Sequence, residues 1–145
     1  MLPGLYPLYQ RGHTEQIGLD EKLNQLDCLN VRSVVNLWSK RDPDLAIAFW
    51  ENYHHIPIQD GMMVPSQSKF WITVIEMADL LRAGVGVLVQ CHAGRNRSSL
   101  FSALVVRELM NFTGAEAVLW VQNKRPNALA NPTFLVYLNG LEKPR

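Results

Sequence analysis

Two cysteines among 145 residues, Cys28 and Cys91, are too few for a disulfide framework, and neither has the Cys-x2-Cys spacing or histidine-rich company of a zinc site. A special cysteine in this chain is therefore a reactive one in a reducing compartment. An excess of either charge is also missing. With 14 Lys and Arg against 13 Asp and Glu, the net charge is +1, and nucleic-acid binding through bulk charge is not expected. No apolar run approaches the roughly 18 residues that span a bilayer. The opening MLPGLYPLYQRG has neither a charged leader nor a continuous apolar core. These absences predict a cytoplasmic chain without membrane insertion. An apolar content of 48% excludes disorder, and the length suits one domain, expected over residues 1–145.

Short β-branched runs alternate with longer stretches of helical period. The pattern predicts an α/β fold with a central, mostly parallel sheet of about four to five strands flanked by about six helices. Strands are expected over Val31 to Leu37, Tyr53 to Ile58 and Val85 to Gln90, and an N-terminal one near Leu5 to Gln10, interrupted by Pro7. Leu19, Leu23, Leu26 and Leu29 form one helical stripe. Asp42-Pro43-Asp44 supplies an N-cap, a first-turn proline and a carboxylate for the helix dipole, so a helix burying Leu45, Ala48 and Phe49 starts there. Phe70, Val74, Met77 and Leu81 mark a third helix that opens near Ser66 and stops before Gly84. Leu100 to Met110, apolar nearly all round, reads as a buried helix. Thr113-Gly114-Ala115-Glu116 has capping-box spacing and starts a helix to about Lys124, and Asn131-Pro132 caps a last one carrying Phe134, Leu135 and Leu138.

The informative stretch is Val87-Leu88-Val89-Gln90-Cys91-His92-Ala93-Gly94-Arg95-Asn96-Arg97-Ser98-Ser99, a buried strand running into a cysteine, a short loop and the mouth of an apolar helix. Successive backbone N–H groups in such a loop curl around one point, and the helix N-terminus adds its partial positive charge there. This anion cradle favours a thiolate at Cys91. The Cys-x5-Arg spacing lets Cys91 sit beneath a phosphorus while the guanidinium of Arg97 closes over two of its oxygens. A hydroxyl at Ser98 can donate to the sulfur and ease its departure from a covalent intermediate.

QCHAGRNRSS resembles the signature loop of the cysteine-dependent protein tyrosine phosphatases, HCxxGxxR[ST], and in this short chain it is similar to the dual-specificity branch. HIPIQDGMMVP before it and RPNALANPTFLVYL after it stand where that family has its acid loop and closing helix. The resemblance implies that Cys91 is the nucleophile, Arg97 the phosphate clamp and Ser98 an aid to the second step, with the backbone of His92, Ala93, Gly94, Arg95 and Asn96 binding substrate. It also implies an Asp as general acid, then base. Of six aspartates, Asp42 and Asp44 are explained by capping, Asp20 and Asp27 lie in or beside the first helix, and Asp79 sits on the polar side of the third. Asp60 remains, in a Gln-Asp-Gly loop 31 residues before Cys91, a separation that suits the dual-specificity branch. Asn131 is a candidate for positioning water. The implied activity is phosphomonoester hydrolysis on phospho-Tyr and phospho-Ser/Thr of a phosphorylated protein, or on a small phosphomonoester, through a phosphocysteine, with no metal or cofactor and a monomer favoured.

One departure stands out: Gln90 occupies the place of the family's usual His. It keeps open a weakly active, phosphate-binding pseudophosphatase, beside a phosphatase of a non-protein polyanion such as a phosphoinositide or an RNA 5′ end. Arg95 reads equally as a solvated charge or as a contact for a second substrate anion. Trp38, Trp50, Trp71 and Trp120 are expected in the core, adjacent His54 and His55 on opposite faces of a strand, and Cys28 is a candidate resolving partner for an oxidised Cys91. A cation beside the sulfur favours the thiolate more than a neutral amide does. Gln90→His is therefore expected to speed alkylation of Cys91 by iodoacetamide near neutral pH. An unchanged or slower rate would show that Gln90 already supports the loop fully.

Overall fold

The computed structural model describes residues 7–12, 18–93 and 95–145. Its four strands are β1 (Leu8–Gly12), β2 (Val31–Asn36), β3 (Tyr53–His55) and β4 (Gly86–Cys91), all parallel, in the order β1-β4-β2-β3. Six α-helices surround them: α1 (Leu19–Cys28), α2 (Pro43–Phe49), α3 (Ser68–Arg82), α4 (Arg97–Met110), α5 (Gly114–Lys124) and α6 (Pro132–Asn139). A 3₁₀ turn, Trp50–Asn52, follows α2. The α/β class, the parallel sheet and the number of helices are those the residue pattern predicts.

The period-2 geometry of the strands sorts their side chains into two cores. Val35, Val87, Val89 and Cys91 face a large cluster built with α3, α4, α5 and α6, while Val34 and Leu88 face a smaller one containing Leu26, Leu45, Ala46 and Tyr53. β4 is buried along its whole length, as is α4 from Ser98 to Val106. Strand and helix are thus both fixed by apolar packing, worth about 1.5–3 kcal/mol for each large side chain removed from water.

Several boundaries differ from the sequence expectation for local reasons. β1 starts after Pro7, and the expected Leu5 and Tyr6 lie outside the described residues. β3 stops at His55 because Pro57 has no N–H for the ladder, although the N–H groups of Ile56 and Ile58 still reach the carbonyls of Asn36 and Leu37 at 2.9 and 3.1 Å. α3 opens at Ser68 rather than Ser66, since Gln67 caps it while its side-chain amide donates to the Pro57 carbonyl at 3.3 Å. α4 opens three residues earlier than Leu100, at Arg97.

In the two-turn α2 the face toward the sheet carries Leu45, Ala46 and half-buried Phe49, so Ala48 is exposed. Leu19 and Leu29, at and beyond the ends of α1, are exposed, leaving Leu26 as its buried anchor. Trp50 is 75% exposed, whereas Trp38, Trp71 and Trp120 are half-buried. The caps at Asp42, Thr113 and Asn131 form as their spacing predicts. In the second of these, hydrogen bonds from the backbone and side chain of Thr113 hold the Glu116 carboxyl below its ordinary range.

Candidate active site

Parallel strands place all their C-terminal ends on one edge of the sheet, and the order β1-β4-β2-β3 puts β4 between two neighbours. Cys91 is the last residue of β4, 2% exposed, and pairs in register with Gly12 of β1. Gly12 is required by close approach: a Cβ there would stand 2.6 Å from the carbonyl carbon of Ala93. The loop that follows Cys91 therefore lies directly on the end of β1. Its residues His92, Ala93 and Arg95 are exposed and Asn96 is half-buried, while Gly94 lies outside the described residues.

α4 then begins at Arg97, and no side chain caps its N-terminus. The first N–H groups of a helix need an outside partner and attract negative charge. Arg97 is half-buried, and its Nη1 donates to the Ile58 carbonyl at 3.4 Å. Its Nε is buried with no hydrogen-bond partner among the described residues. An unsatisfied buried donor costs about 1–3 kcal/mol, which an oxyanion at the cradle would recover.

Ser98 is fully buried, one residue into α4. The side-chain amide of Gln10 donates to its Oγ at 3.2 Å and to Ser99 Oγ at 2.7 Å. With its oxygen accepting from Gln10, the Ser98 hydroxyl keeps its own proton to donate. Gln10 is in turn held through its carbonyl by Arg125 Nη1 at 3.2 Å.

Asp60 is brought to the same loop. One carboxylate oxygen accepts from Asn96 Nδ2 at 3.0 Å and the other from Asn131 Nδ2 at 2.8 Å. The Asn131 backbone N–H donates to Asn96 Oδ1 at 3.0 Å, closing a ring of three side chains on three segments. Asn131 also donates to the Gly61 carbonyl at 3.0 Å, while its Oδ1 caps α6 by accepting from Thr133 and Phe134. The loop carrying Asp60, the cradle and the start of α6 are thus one hydrogen-bonded unit.

The remaining neighbours resolve several open readings. Arg95 Nε donates to the Asn127 carbonyl at 2.8 Å, and the Arg95 carbonyl accepts from Leu129 at 3.1 Å, so Arg95 braces the cradle against the 127–129 loop. Leu129 holds this contact from a left-handed backbone, φ 60°, which costs a non-glycine residue about 1–2 kcal/mol. Gln90 is fully buried, with Nε2 3.5 Å from Asp42 Oδ2 and no partner for Oε1 among the described residues. Asp42 thus does more than cap α2, and it also meets Lys22 Nζ at 3.6 Å.

Cys28 ends α1 close to Asn30, whose carbonyl accepts from Gly86 at the far end of β4 from Cys91. Six strand residues separate those ends by roughly 16 Å. A disulfide requires Cα atoms within about 7 Å, so Cys28 cannot serve as the resolving partner. His54 is partly buried, which lowers its basicity against the opposing effect of Glu76. Among the described residues no group of three or more His, Cys, Asp or Glu is placed to hold a metal, and no helix is long and apolar enough to cross a membrane.

Gln10, Gly12 and Leu129 belong to the site without being singled out by the sequence pattern, and Asn131 reads there as a cap and a candidate for positioning water. Only Gly12 left a visible trace, as a glycine ending a strand.

Residues 11–108 match the family described as "Polymorphic toxin system, DSP-PTPase phosphatase". Tyrosine-protein phosphatase vhp-1 of Caenorhabditis elegans is 26% identical over 117 residues, 81% of this chain but only 18% of the worm protein. Among solved structures, human DUSP28 superposes with a TM-score of 0.74 at 22% identity, covering 92% of each chain. PTPMT1 in complex with PI(5)P also gives 0.74, at 19% identity, covering 92% of this chain and 88% of that one. At such identities the structural likeness establishes the fold.

The ring around Asp60 has a direct test. Asn96→Ala removes its bonds to Asp60 and to Asn131 and leaves the apolar core intact. Hydrogen exchange of the 59–64 backbone is expected to accelerate, with a global stability loss of about 1 kcal/mol. Unchanged exchange in that loop would show that the ring does not hold it.

Proposed function

Since the chain belongs to the DSP-PTPase phosphatase family of polymorphic toxin systems, we propose that it is a phosphomonoester hydrolase of the dual-specificity protein phosphatase type, working through a phosphocysteine. The observation that carries this function is the buried Arg97 Nε, without a partner among the described residues, six residues after a buried Cys91 and at an uncapped helix start. Three properties coincide there: a nucleophile, a fork of donors for equatorial oxygens, and the positive end of a helix.

In the first step the Cys91 sulfur attacks phosphorus in line, forming the S–P bond as the P–O bond to the leaving group breaks. Arg97 and the backbone N–H groups of the 92–96 loop stabilise the charge on the three equatorial oxygens. Asp60 gives its proton to the departing oxygen. In the second step Asp60 takes a proton from water, whose oxygen attacks phosphorus as the S–P bond breaks. The Ser98 hydroxyl donates to the returning thiolate. Asn96 and Asn131 keep Asp60 beside the cradle through both steps, and Asn131 acts on the water only through that carboxylate.

The substrate is a phosphorylated protein, with phospho-Tyr and phospho-Ser/Thr both accepted. The family description adds a setting, a polymorphic toxin system. Arg95 gives little support to a polyanionic substrate, because its Nε is committed to the Asn127 carbonyl.

Wild type is expected to hydrolyse a small aryl phosphate and Cys91→Ser to have no activity. General acid–base catalysis contributes about 10²–10⁴ in rate. Asp60→Asn should therefore slow hydrolysis of an alkyl phosphate about 10²-fold or more, and that of a strongly acidic phenol's ester far less. Equal losses for the two esters would reduce Asp60 to a structural role in its loop.

A further inference from the structure

A cleft of about 510 Å³ opens beside the cradle, between residues 57–59 and 63–67, with Ser39 at its edge. The size lies within the usual range of ligand sites, about 300–1,000 Å³. Ile58 belongs to both places: it lines the cleft, and its carbonyl accepts from Arg97 Nη1. Gln59, the next lining residue, precedes Asp60. The cleft therefore begins on the side from which Asp60 meets the leaving group, where the rest of a substrate must extend once its phosphate is seated at Cys91.

Its walls are braced before any ligand arrives. The Pro57 carbonyl accepts from Gln67 Nε2 at 3.3 Å, the Pro65 carbonyl from Trp71 Nε1 at 3.1 Å, and the Ile58 N–H donates to Leu37 at 3.1 Å. A preformed wall spares a ligand the entropy of ordering it. The chemistry of the lining is specific as well. Pro57, Ile58, Val64 and Pro65 give apolar surface, Ser39 and Gln67 neutral polar groups, and no lining residue is charged. An acidic group entering this cleft would find no cation among the residues that line it.

We propose that this cleft is a substrate subsite that takes an uncharged, apolar side chain flanking the phosphorylated residue of a protein substrate. The proposal rests on the phosphatase function above and adds the rule by which substrates are chosen: phosphorylated residues with apolar neighbours are preferred to those in acidic runs.

The test compares two phosphotyrosine peptides that differ only in the residues flanking the phosphotyrosine, apolar in one and acidic in the other, beside a small aryl phosphate too short to reach the cleft. Wild type is expected to favour the apolar-flanked peptide by about tenfold in kcat/KM, the scale on which a shaped apolar pocket discriminates. Ser39→Phe, at an exposed position, fills the edge of the cleft. It should raise KM for that peptide about tenfold and leave the small aryl phosphate unchanged. Val64→Lys should shift the preference toward the acidic-flanked peptide. Equal use of both peptides by wild type, or equal effects of Ser39→Phe on peptide and small ester, would overturn the subsite while leaving the phosphatase function standing. Absence of Cys91-dependent hydrolysis of the small ester would overturn both.

Discussion

The burial of β4 and α4 on either side of a five-residue turn is the constraint on which the site depends. Val87, Leu88 and Val89 are closed off between β1 and β2 and between two layers of helices, and Leu100, Phe101 and Leu104 anchor the helix that follows. Each such side chain contributes about 1.5–3 kcal/mol, more than a typical single hydrogen bond at about 1 kcal/mol. The core therefore decides where Cys91 and Arg97 stand. The turn between them must fit the distance that results, and the close seat of Ala93 on Gly12 leaves it one place to lie.

Hydrogen bonds then specify what the core leaves free. Asp60 is exposed two residues beyond Ile58, the last core residue of its segment, and its carboxylate is placed by Asn96 and Asn131. The two amides belong to the turn before α4 and the turn before α6. Three segments distant in sequence are thereby referred to one carboxylate. Arg95 and Leu129 add a second tie between the same two turns, at the expense of a left-handed leucine. Such strain persists where surrounding packing over-determines it, and it concentrates at functional sites. Arg97 shows the complementary feature: one donor satisfied by Ile58 and one buried donor with no partner among the described residues.

The sequence carries its local information faithfully. Runs such as VRSVVNL and VGVLVQ mark central strands, and the caps at Asp42, Thr113 and Asn131 mark helix starts, because both signals act within a few residues. The closeness in sequence of Cys91, Arg97 and Ser98 is legible for the same reason, since they stand at the two ends of one five-residue turn. Burial on short elements is less legible. Ala48 and Ala46 of α2 look alike in the sequence, and only packing against the sheet selects Ala46. Gln10 is illegible, as its partners lie 88 and 89 residues away and are set by the parallel register of β1 on β4. Asn131 is half legible: its cap is local, while its bond to Asp60 spans 71 residues. Whether Cys28 could partner an oxidised Cys91 is not legible, because spacing along the chain says nothing of which end of the sheet a helix reaches.

Covalent phosphorylation of the Cys91 thiol at the end of β4 is the step on which the rest of the proposed chemistry depends. Wild-type protein mixed with a rapidly reacting aryl phosphate, quenched in acid within milliseconds and digested, is expected to yield a peptide bearing phosphate on Cys91. The Asp60→Asn protein should accumulate more of it, because in the proposed mechanism Asp60 both protonates the leaving group and activates the water that breaks the S–P bond. Turnover of the ester with no phosphate on Cys91 at any quench time, or with phosphate on another residue, would contradict a phosphocysteine mechanism.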